Sequence, residues 1–173
     1  AEAAAALGTR VIVIHFGLST DAPDLKTASA TFSSMLRIEE ILRGSGITAA
    51  YENIGGRTSK IEYMKSFIEK FEFKNSGICL DTGHANLIEN PVEAIRTCGA
   101  MLKNMHASDN SGGADTHGLP GIGTIDWPAA RRALEEAGYN GPVTLEPRPY
   151  GEPALFLRQA REAFETVFLE KQI

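Results

Sequence analysis

The sequence has no apolar run near the roughly 20 residues that a membrane-spanning helix needs, so no spanning segment is predicted. It has only two cysteines, Cys79 and Cys98, whose spacing fits neither a disulfide framework nor a thiolate metal site, and a reducing cytoplasm is the expected location. Basic residues are also few, with 17 Lys and Arg against 22 Asp and Glu and a net charge of −5. This balance disfavours nucleic acid as a partner and favours a small or metal-bridged ligand.

The sequence does contain an alternation of strand and helix signals along residues 1–173. This pattern predicts a single α/β domain whose parallel sheet is built from βα repeats. Short apolar runs predict five strands, at 11–16, 47–54, 78–80, 102–107 and 143–146. Helical spacing of apolar residues predicts helices at 32–42, 60–71, 91–99 and 153–169, and a further helix that Asp126 caps and Gly138 ends. A polar loop links the first strand to the first of these helices and contains Ser19, Asp21, Pro23 and Asp24.

The first residues read as the last turns of an alanine-rich helix, which Gly8 ends directly before the first strand. A natural domain rarely begins in this way. We therefore expect the sequence to be a fragment whose earlier part is absent.

Each predicted strand places a histidine or a carboxylate at or near its carboxyl end, and the set is His15, Glu52, Asp81 with His84, His106 and Glu146. Successive parallel strands share their direction, so these side chains converge on one rim of the sheet. Two glutamates, one aspartate and one histidine make a mixed oxygen and nitrogen shell that suits Mn²⁺, Mg²⁺ or Zn²⁺. We therefore predict a site for one divalent metal ion.

Structural explanations compete with this interpretation. A single carboxylate after a strand is more often a helix cap or a solvated loop residue, and only the joint pattern favours a site. His15 fits a core histidine equally well, and Asp109 fits a turn cap. Cys79 fits core packing, and Trp127 fits an anchor of its helix against the barrel.

A loop rich in glycine and polar residues spans 110–125 and is long enough to predict a functional role. It contains Asp115 and His117.

An ordered set of short motifs runs along almost the whole chain: Tyr51-Glu52-Asn53, Leu80-Asp81-Thr82-Gly83-His84, His106-Ala107-Ser108-Asp109-Asn110, Asp115-Thr116-His117 with Gly121-Ile122-Gly123-Thr124-Ile125-Asp126-Trp127, and Thr144-Leu145-Glu146. In this order they resemble the xylose-isomerase-like TIM-barrel superfamily. That superfamily includes sugar phosphate isomerases and epimerases and the type 2 apurinic/apyrimidinic endonucleases. The resemblance implies a partial TIM barrel with about five βα units.

The resemblance also implies roles for individual residues. The metal ligands would be Glu52, Asp81, His106 and Glu146. Glu52 and Glu146 would also be the acid/base pair that moves a proton next to the carbonyl of a sugar or sugar phosphate, through an enediolate that the metal stabilises. The residues expected from the resemblance to contact substrate are His15 and His84. Apart from the resemblance, Arg148 lies two residues past Glu146 and is expected to contact a phosphate or carboxylate of the ligand, and a surface ion pair or a cap explains it equally well.

The endonuclease branch of the superfamily implies a different reaction, in which a zinc cluster activates water against a phosphodiester. Its extra ligands would correspond to His15, His84, Asp115 and His117, all of which are present. The acidic balance of the chain disfavours a DNA surface, so isomerisation or epimerisation is the favoured reaction.

The chain departs from the family pattern in its length, because the family barrel has eight βα units and this sequence provides five. An open sheet of five strands has two exposed edges, and such edges pair readily with another chain. We therefore expect homo-oligomerisation through the sheet edges. A third hypothesis is an inactive fragment that retains the metal ligands without turnover.

Overall fold

The computed structural model describes residues 2–17 and 25–169. Its centre is a parallel sheet in which the order of the strands equals their order in the chain. The strands are β1 Val11–His15, β2 Thr48–Glu52, β3 Ser76–Asp81, β4 Leu102–Ala107 and β5 Val143–Leu145. The sheet curls into a half-barrel with helices between its strands, which confirms the predicted partial TIM barrel of about five βα units.

Helices cover the outer face of the sheet. They are α1 Glu2–Ala6, α2 Leu25–Leu42, α3 Ile61–Lys70, α4 Thr82–Ile88, α5 Pro91–Cys98, α6 Trp127–Glu136 and α7 Pro153–Phe164, the last continuing into a π-helical turn at Glu165–Leu169. Asn90 begins α5 by accepting the backbone N–H groups of Val92 and Glu93, and Asp126 begins α6 by accepting that of Ala129. None of the helices in the described ranges is long and apolar enough to cross a membrane.

The core lies between β3 and the helices that pack on it. All six residues of β3 are buried, as a central strand of a parallel sheet requires. Ile78 and Leu80 of this strand share one cluster with Ile61 of α3 and Ile95 of α5, all four fully buried. Burial of each such side chain contributes about 1.5–3 kcal/mol. This core fixes the position of the carboxyl end of β3.

The strand register aligns the carboxyl ends of the strands at one rim. His15 pairs with Glu52 between β1 and β2, and Asp81 pairs with His106 between β3 and β4. The inner face of the half-barrel is partly open at the β1 edge, where Val13 is 37% exposed. The rim is therefore lined by polar side chains from successive strands, as the sequence predicts.

Some elements of the structure differ from the prediction. The first long helix begins at Leu25, seven residues before the predicted start at Phe32. Helix α4 was not predicted, and Asp81 begins it by accepting the backbone N–H of His84. The second strand is shorter than predicted and covers Thr48–Glu52. The predicted polar loop with Ser19, Asp21, Pro23 and Asp24 lies outside the described residues.

Candidate metal centre

Four residues predicted as metal ligands meet at the rim, and we call them the rim cluster: Glu52, Asp81, His106 and Glu146. Each of them offers a ligand atom, and these four atoms all lie within 4.8 Å of one another. Glu52 is the last residue of β2, and Asp81 is the last residue of β3. His106 lies in β4, and Glu146 directly follows β5. The backbone N–H of Glu146 donates to the carbonyl of Ala107 at 3.1 Å and so extends the sheet by one residue. The four side chains thus reach one point from four adjacent strands.

His106 is the centre of the rim cluster. Its Nδ1 lies 3.1 Å from Glu52 Oε1 and 2.7 Å from Glu146 Oε2, and because ionised carboxylates only accept, Nδ1 carries a hydrogen. Burial alone lowers the pKa of His106, but the neighbouring Cys79 and the hydrogen-bonded carboxylate of Glu52 raise it, to about 11. Burial raises the pKa of Glu52, and the hydrogen bond and charge of His106 outweigh it, so that this pKa is lowered overall. In the metal-free protein, the imidazolium supplies the positive charge that the converging carboxylates need.

The environment of the Asp81 carboxylate indicates whether the rim cluster fits a metal ion. It is fully buried, and its Oδ1 accepts the backbone N–H of His84 at 2.7 Å. Its Oδ2 has no hydrogen-bond partner within the described ranges, and burial raises the pKa of the carboxyl to about 6. A buried ionised oxygen without a partner costs free energy that a bound cation offsets. With three carboxylates and one imidazole, the rim cluster therefore fits Mn²⁺, Mg²⁺ or Zn²⁺.

Asn53 holds Asp81 in place, a role that the sequence analysis missed. Its side-chain oxygen accepts the backbone N–H of Asp81 at 2.7 Å, and its amide nitrogen donates to the backbone carbonyl of Asp81 at 3.0 Å. Asn53 is completely buried. Its place in the sequence directly after Glu52 could have indicated this role, because a buried amide between two strand ends can hydrogen-bond and position its neighbours.

A second group of metal-competent side chains, which we call the loop cluster, consists of His84, Asp115 and His117, with ligand atoms also within 4.8 Å of one another. Nδ1 of His84 is 2.7 Å from the carbonyl of Asn53, and Nδ1 of His117 is 2.9 Å from the carbonyl of Glu146. A carbonyl oxygen only accepts, so these contacts assign a hydrogen to both Nδ1 atoms.

The two Nε2 atoms of the loop cluster then face the same carboxylate oxygen. Asp115 Oδ2 lies 3.3 Å from Nε2 of His84 and 3.0 Å from Nε2 of His117. In neutral rings these nitrogens present lone pairs. Two lone pairs and a carboxylate oxygen directed at one place form a site for a cation, either a proton or a metal ion.

The remaining predicted site residues lie at the edge of the two clusters. Nε2 of His15 is 3.7 Å from Glu52 Oε2, and its side chain is 70% exposed, so it is not a core histidine. The backbone N–H of Arg148 donates to the carbonyl of His117 at 2.7 Å. Its side chain is exposed and makes no hydrogen bond or ion pair with another residue in the ranges 2–17 and 25–169. Arg148 therefore faces solvent beside the loop cluster.

The long loop that carries Asp115 and His117 is fastened by Asp109. The carboxylate of Asp109 is fully buried and accepts the indole N–H of Trp127 at 2.7 Å and the backbone N–H of Gly121 at 3.0 Å. Its backbone also exchanges two hydrogen bonds with Gly118. The predicted turn cap and the predicted helix anchor are thus two ends of one contact, which the sequence analysis treated separately.

Comparisons with known proteins agree with this architecture. A family model described as a xylose isomerase-like TIM barrel matches residues 1–167. An uncharacterized protein of Methanocaldococcus jannaschii is 31% identical over 158 residues, which are 84% of this chain and 53% of that protein. The D-psicose 3-epimerase of Ruminiclostridium cellulolyticum is 37% identical over 82 residues, which are 47% of this chain and 26% of that enzyme.

A solved structure is similar over nearly the whole chain. The crystal structure of a D-tagatose 3-epimerase-like protein superposes with a TM-score of 0.78 and 28% identity, covering 96% of this chain and 66% of that one. The present chain spans about half the length of the M. jannaschii relative, at 53%.

Proposed function

Since this chain belongs to the xylose isomerase-like TIM-barrel family, we propose that its rim cluster is the metal-binding active site of a sugar isomerase or epimerase. The observation that carries this proposal is the convergence of the four ligand atoms within 4.8 Å of one another, in a cluster where the buried Oδ2 of Asp81 has no hydrogen-bond partner among the described residues. The epimerases among the relatives and structural neighbours support a sugar as the substrate.

The proposed acid/base pair is Glu52 and Glu146. They project from β2 and from the end of β5, which are separated by two strands, and both contact Nδ1 of His106. One carboxylate oxygen removes the proton from the carbon next to the carbonyl, and the other returns a proton from the opposite face. Because the two carboxylates come from different strands, they are proposed to approach the carbon from opposite faces, as inversion of a stereocentre requires.

One divalent ion, held by the rim cluster, would polarise the carbonyl and the neighbouring hydroxyl of the sugar. The other tasks fall to the protein. His106 fixes both glutamates, and Asn53 fixes the Asp81 carboxylate through two backbone hydrogen bonds. His15, His84 and Arg148 stand around the cluster and are proposed to contact the hydroxyl groups or an anionic group of the substrate.

The test is hydrogen exchange on a ketohexose. The metal-loaded protein would be incubated with D-psicose or D-tagatose in deuterated water, and deuterium at the carbon next to the carbonyl would be followed by nuclear magnetic resonance. We expect exchange in the wild type, and a loss of about 10²- to 10⁴-fold in Glu52→Gln and Glu146→Gln. Glu62→Gln, which changes an exposed carboxylate on α3, should leave the rate unchanged.

Metal content is measured on the same samples by elemental mass spectrometry. One ion per chain with exchange supports the proposal. One ion without exchange indicates a fragment that binds metal but has no turnover. Exchange that persists in both glutamine variants, or a protein that binds no added Mn²⁺ or Zn²⁺, would contradict the proposed site.

The loop cluster favours a second candidate function, a zinc-dependent phosphodiesterase of the endonuclease type. His84, Asp115 and His117 provide a further cation site beside the rim cluster, and several zinc ions can activate water against a phosphodiester. Two or three zinc ions per chain and cleavage of abasic DNA would support this reaction. The net charge of −5 disfavours a DNA surface, so we rank it second.

We also propose self-association through the edges of the sheet. Within the described ranges, β1 and β5 each pair with one strand only, which leaves backbone groups on their other sides without a ladder partner. Such edges pair with further strands. Size-exclusion chromatography with light scattering would give a dimer or a larger oligomer, whereas a stable monomer would refute this proposal.

A further inference from the structure

Cys79 lies directly beneath the rim cluster, and the proposed reaction does not use it. It pairs with Glu52 in the register of β2 and β3, and it precedes Asp81 by two residues, so all three side chains point to the inner face of the half-barrel. Cys79 is completely buried and is not part of a disulfide bond. A thiol in this position faces the two most buried carboxylates of the proposed site.

The thiol also has the contacts of a ligand. Cys79, Glu52 and His106 each offer one ligand atom, and these three atoms lie within 4.8 Å of one another. The sulfur of Cys79 also accepts the side-chain N–H of Asn104 at 3.5 Å. We call Glu52, Cys79 and His106 the thiol set. The thiol set shares Glu52 and His106 with the rim cluster. It contains the sulfur of Cys79 and does not contain the carboxylates of Asp81 and Glu146.

We propose that the thiol set is a second binding mode of the same centre, which takes a thiophilic divalent cation such as Zn²⁺ or Cd²⁺. On binding, the sulfur–hydrogen bond breaks, a metal–sulfur bond forms, and the proton leaves to solvent without oxidation. This inference rests on the proposed function in one respect, because it needs Glu52 and His106 to be metal ligands.

The chemistry of the ligands separates the two modes. Soft thiolate ligands select zinc and softer ions, whereas carboxylates and imidazole also hold Mn²⁺ and Mg²⁺. A cysteine binds a metal ion as the thiolate, so Cys79 releases its proton when the cation binds. Because the two modes share Glu52 and His106, only one of them is occupied at a time. A thiophilic ion therefore competes with Mn²⁺ and leaves Asp81 and Glu146 outside its ligand shell.

The experiment uses the full chain after treatment with a chelator. Cd²⁺ is added, and the ultraviolet charge-transfer band of a cadmium–thiolate bond is recorded together with the release of prebound Mn²⁺, which is followed by electron paramagnetic resonance. We expect the band in the wild type and a release of one Mn²⁺ for each Cd²⁺ bound. Cys79→Ser should lose the band and bind Cd²⁺ about 10- to 100-fold more weakly, with its Mn²⁺ affinity unchanged.

Cys98→Ser is the matched control. Cys98 is the other cysteine of the chain, is equally buried, lies on α5 and belongs to none of the metal-competent groups in the described residues. The band should persist in Cys98→Ser, where Cys79 is the remaining thiol. This control assigns the band to Cys79 even where Cys79→Ser does not fold.

Three results would overturn the inference, and they separate it from the proposed function. Cd²⁺ binding without a charge-transfer band in a protein that binds Mn²⁺ refutes the thiol set and leaves the rim cluster intact. A band that persists in folded Cys79→Ser refutes the assignment of the sulfur. Failure of the wild type to bind either ion refutes both the thiol set and the proposed metal site.

Discussion

Trp127 donates its indole N–H to the buried carboxylate of Asp109, with a nitrogen-to-oxygen distance of 2.7 Å. The bond joins the first residue of α6 to the chain just after β4, and both side chains are almost inaccessible to solvent. It closes the base of the loop 110–125, which carries His117. The positions of Asp115 and His117 therefore depend on a contact that involves neither of them.

Trp127→Phe keeps an aromatic ring and removes the indole N–H. We expect the free energy of unfolding to fall by about 1.5–3 kcal/mol, because a buried carboxylate loses a donor. Urea unfolding followed by circular dichroism measures this change, since Trp127 is the single tryptophan and its fluorescence is lost in the variant. Tyr139→Phe is the control. It removes an exposed hydrogen bond to the carbonyl of Pro142 and should cost less than about 1 kcal/mol. Equal losses in the two variants would contradict the proposed importance of the buried bond.

Gly123→Ala tests how tightly the same loop is packed. A methyl group at Gly123 would overlap a carboxylate oxygen of Asp109 and the backbone carbonyl of Asn110. We expect a loss of about 1–3 kcal/mol in the free energy of unfolding, with faster proteolysis within the loop. Gly113→Ala, in the same loop, has no atom within 4 Å of the added carbon and should behave as the wild type. A free energy of unfolding equal to that of the wild type would contradict this prediction, because it would show that the loop accommodates the methyl group without losing stability.

Glu39→Ala tests the support of β3 from outside the barrel. The carboxylate of Glu39, on α2, accepts the backbone N–H groups of Lys74 and Asn75 at 2.7 and 2.8 Å and the side-chain N–H of Asn75 at 2.9 Å. Loss of these charge-assisted bonds should lower the free energy of unfolding by about 1.5–3 kcal/mol. Glu40→Ala, an exposed neighbour on the same helix, should cost less than about 0.5 kcal/mol. Chemical denaturation compares the two, and equal effects would refute the role of the carboxylate of Glu39.

Asp81→Asn separates metal binding from stability. Burial raises the pKa of Asp81 to about 6, so the folded metal-free protein binds a proton more readily than the unfolded chain does. Its free energy of unfolding therefore falls as the pH rises from about 4 to 6. Asparagine does not ionise, so Asp81→Asn does not lose stability as the pH rises. At pH 7 we expect the metal-free variant to be more stable than the metal-free wild type by about 1–3 kcal/mol. We expect its metal affinity to fall, because a carboxylate ligand is lost.

The matched control for this variant is Asp126→Asn. Asp126 is also an N-cap aspartate, but it is exposed, and Asn caps a helix as well as Asp does. It should leave both metal affinity and the pH dependence unchanged. A metal-free Asp81→Asn that is less stable than the wild type at pH 7 would refute the cost assigned to the buried carboxylate.

The strands and the rim residues were accessible to sequence reasoning because each depends on a local pattern. A short apolar run such as Ile78-Cys79-Leu80 has few alternatives to a buried strand, and its direction places Asp81 at the rim. Parallel pairing brings the carboxyl ends of the four strands to one rim, and in the structure the four side chains meet there. Their roles as metal ligands stay a prediction.

The missed features depend on contacts between distant residues. Gly83 lies inside α4, where a side chain would overlap the hydroxyl of Ser108, so this glycine allows close packing between the helix and the chain after β4. The bond between Asp109 and Trp127 spans 18 residues, and no local pattern predicts it. The tautomers of the loop cluster depend on backbone carbonyls of Asn53 and Glu146, which sequence alone does not position.

The order of strands in the sheet repeats the order of strands in the gene. Every member of the rim cluster and of the loop cluster falls between Glu52 and Glu146. A single recombination event that exchanges this stretch would therefore transfer the complete set of candidate ligands between members of the family. The remaining parts of a recipient barrel can then diverge without rebuilding this set of candidate ligands.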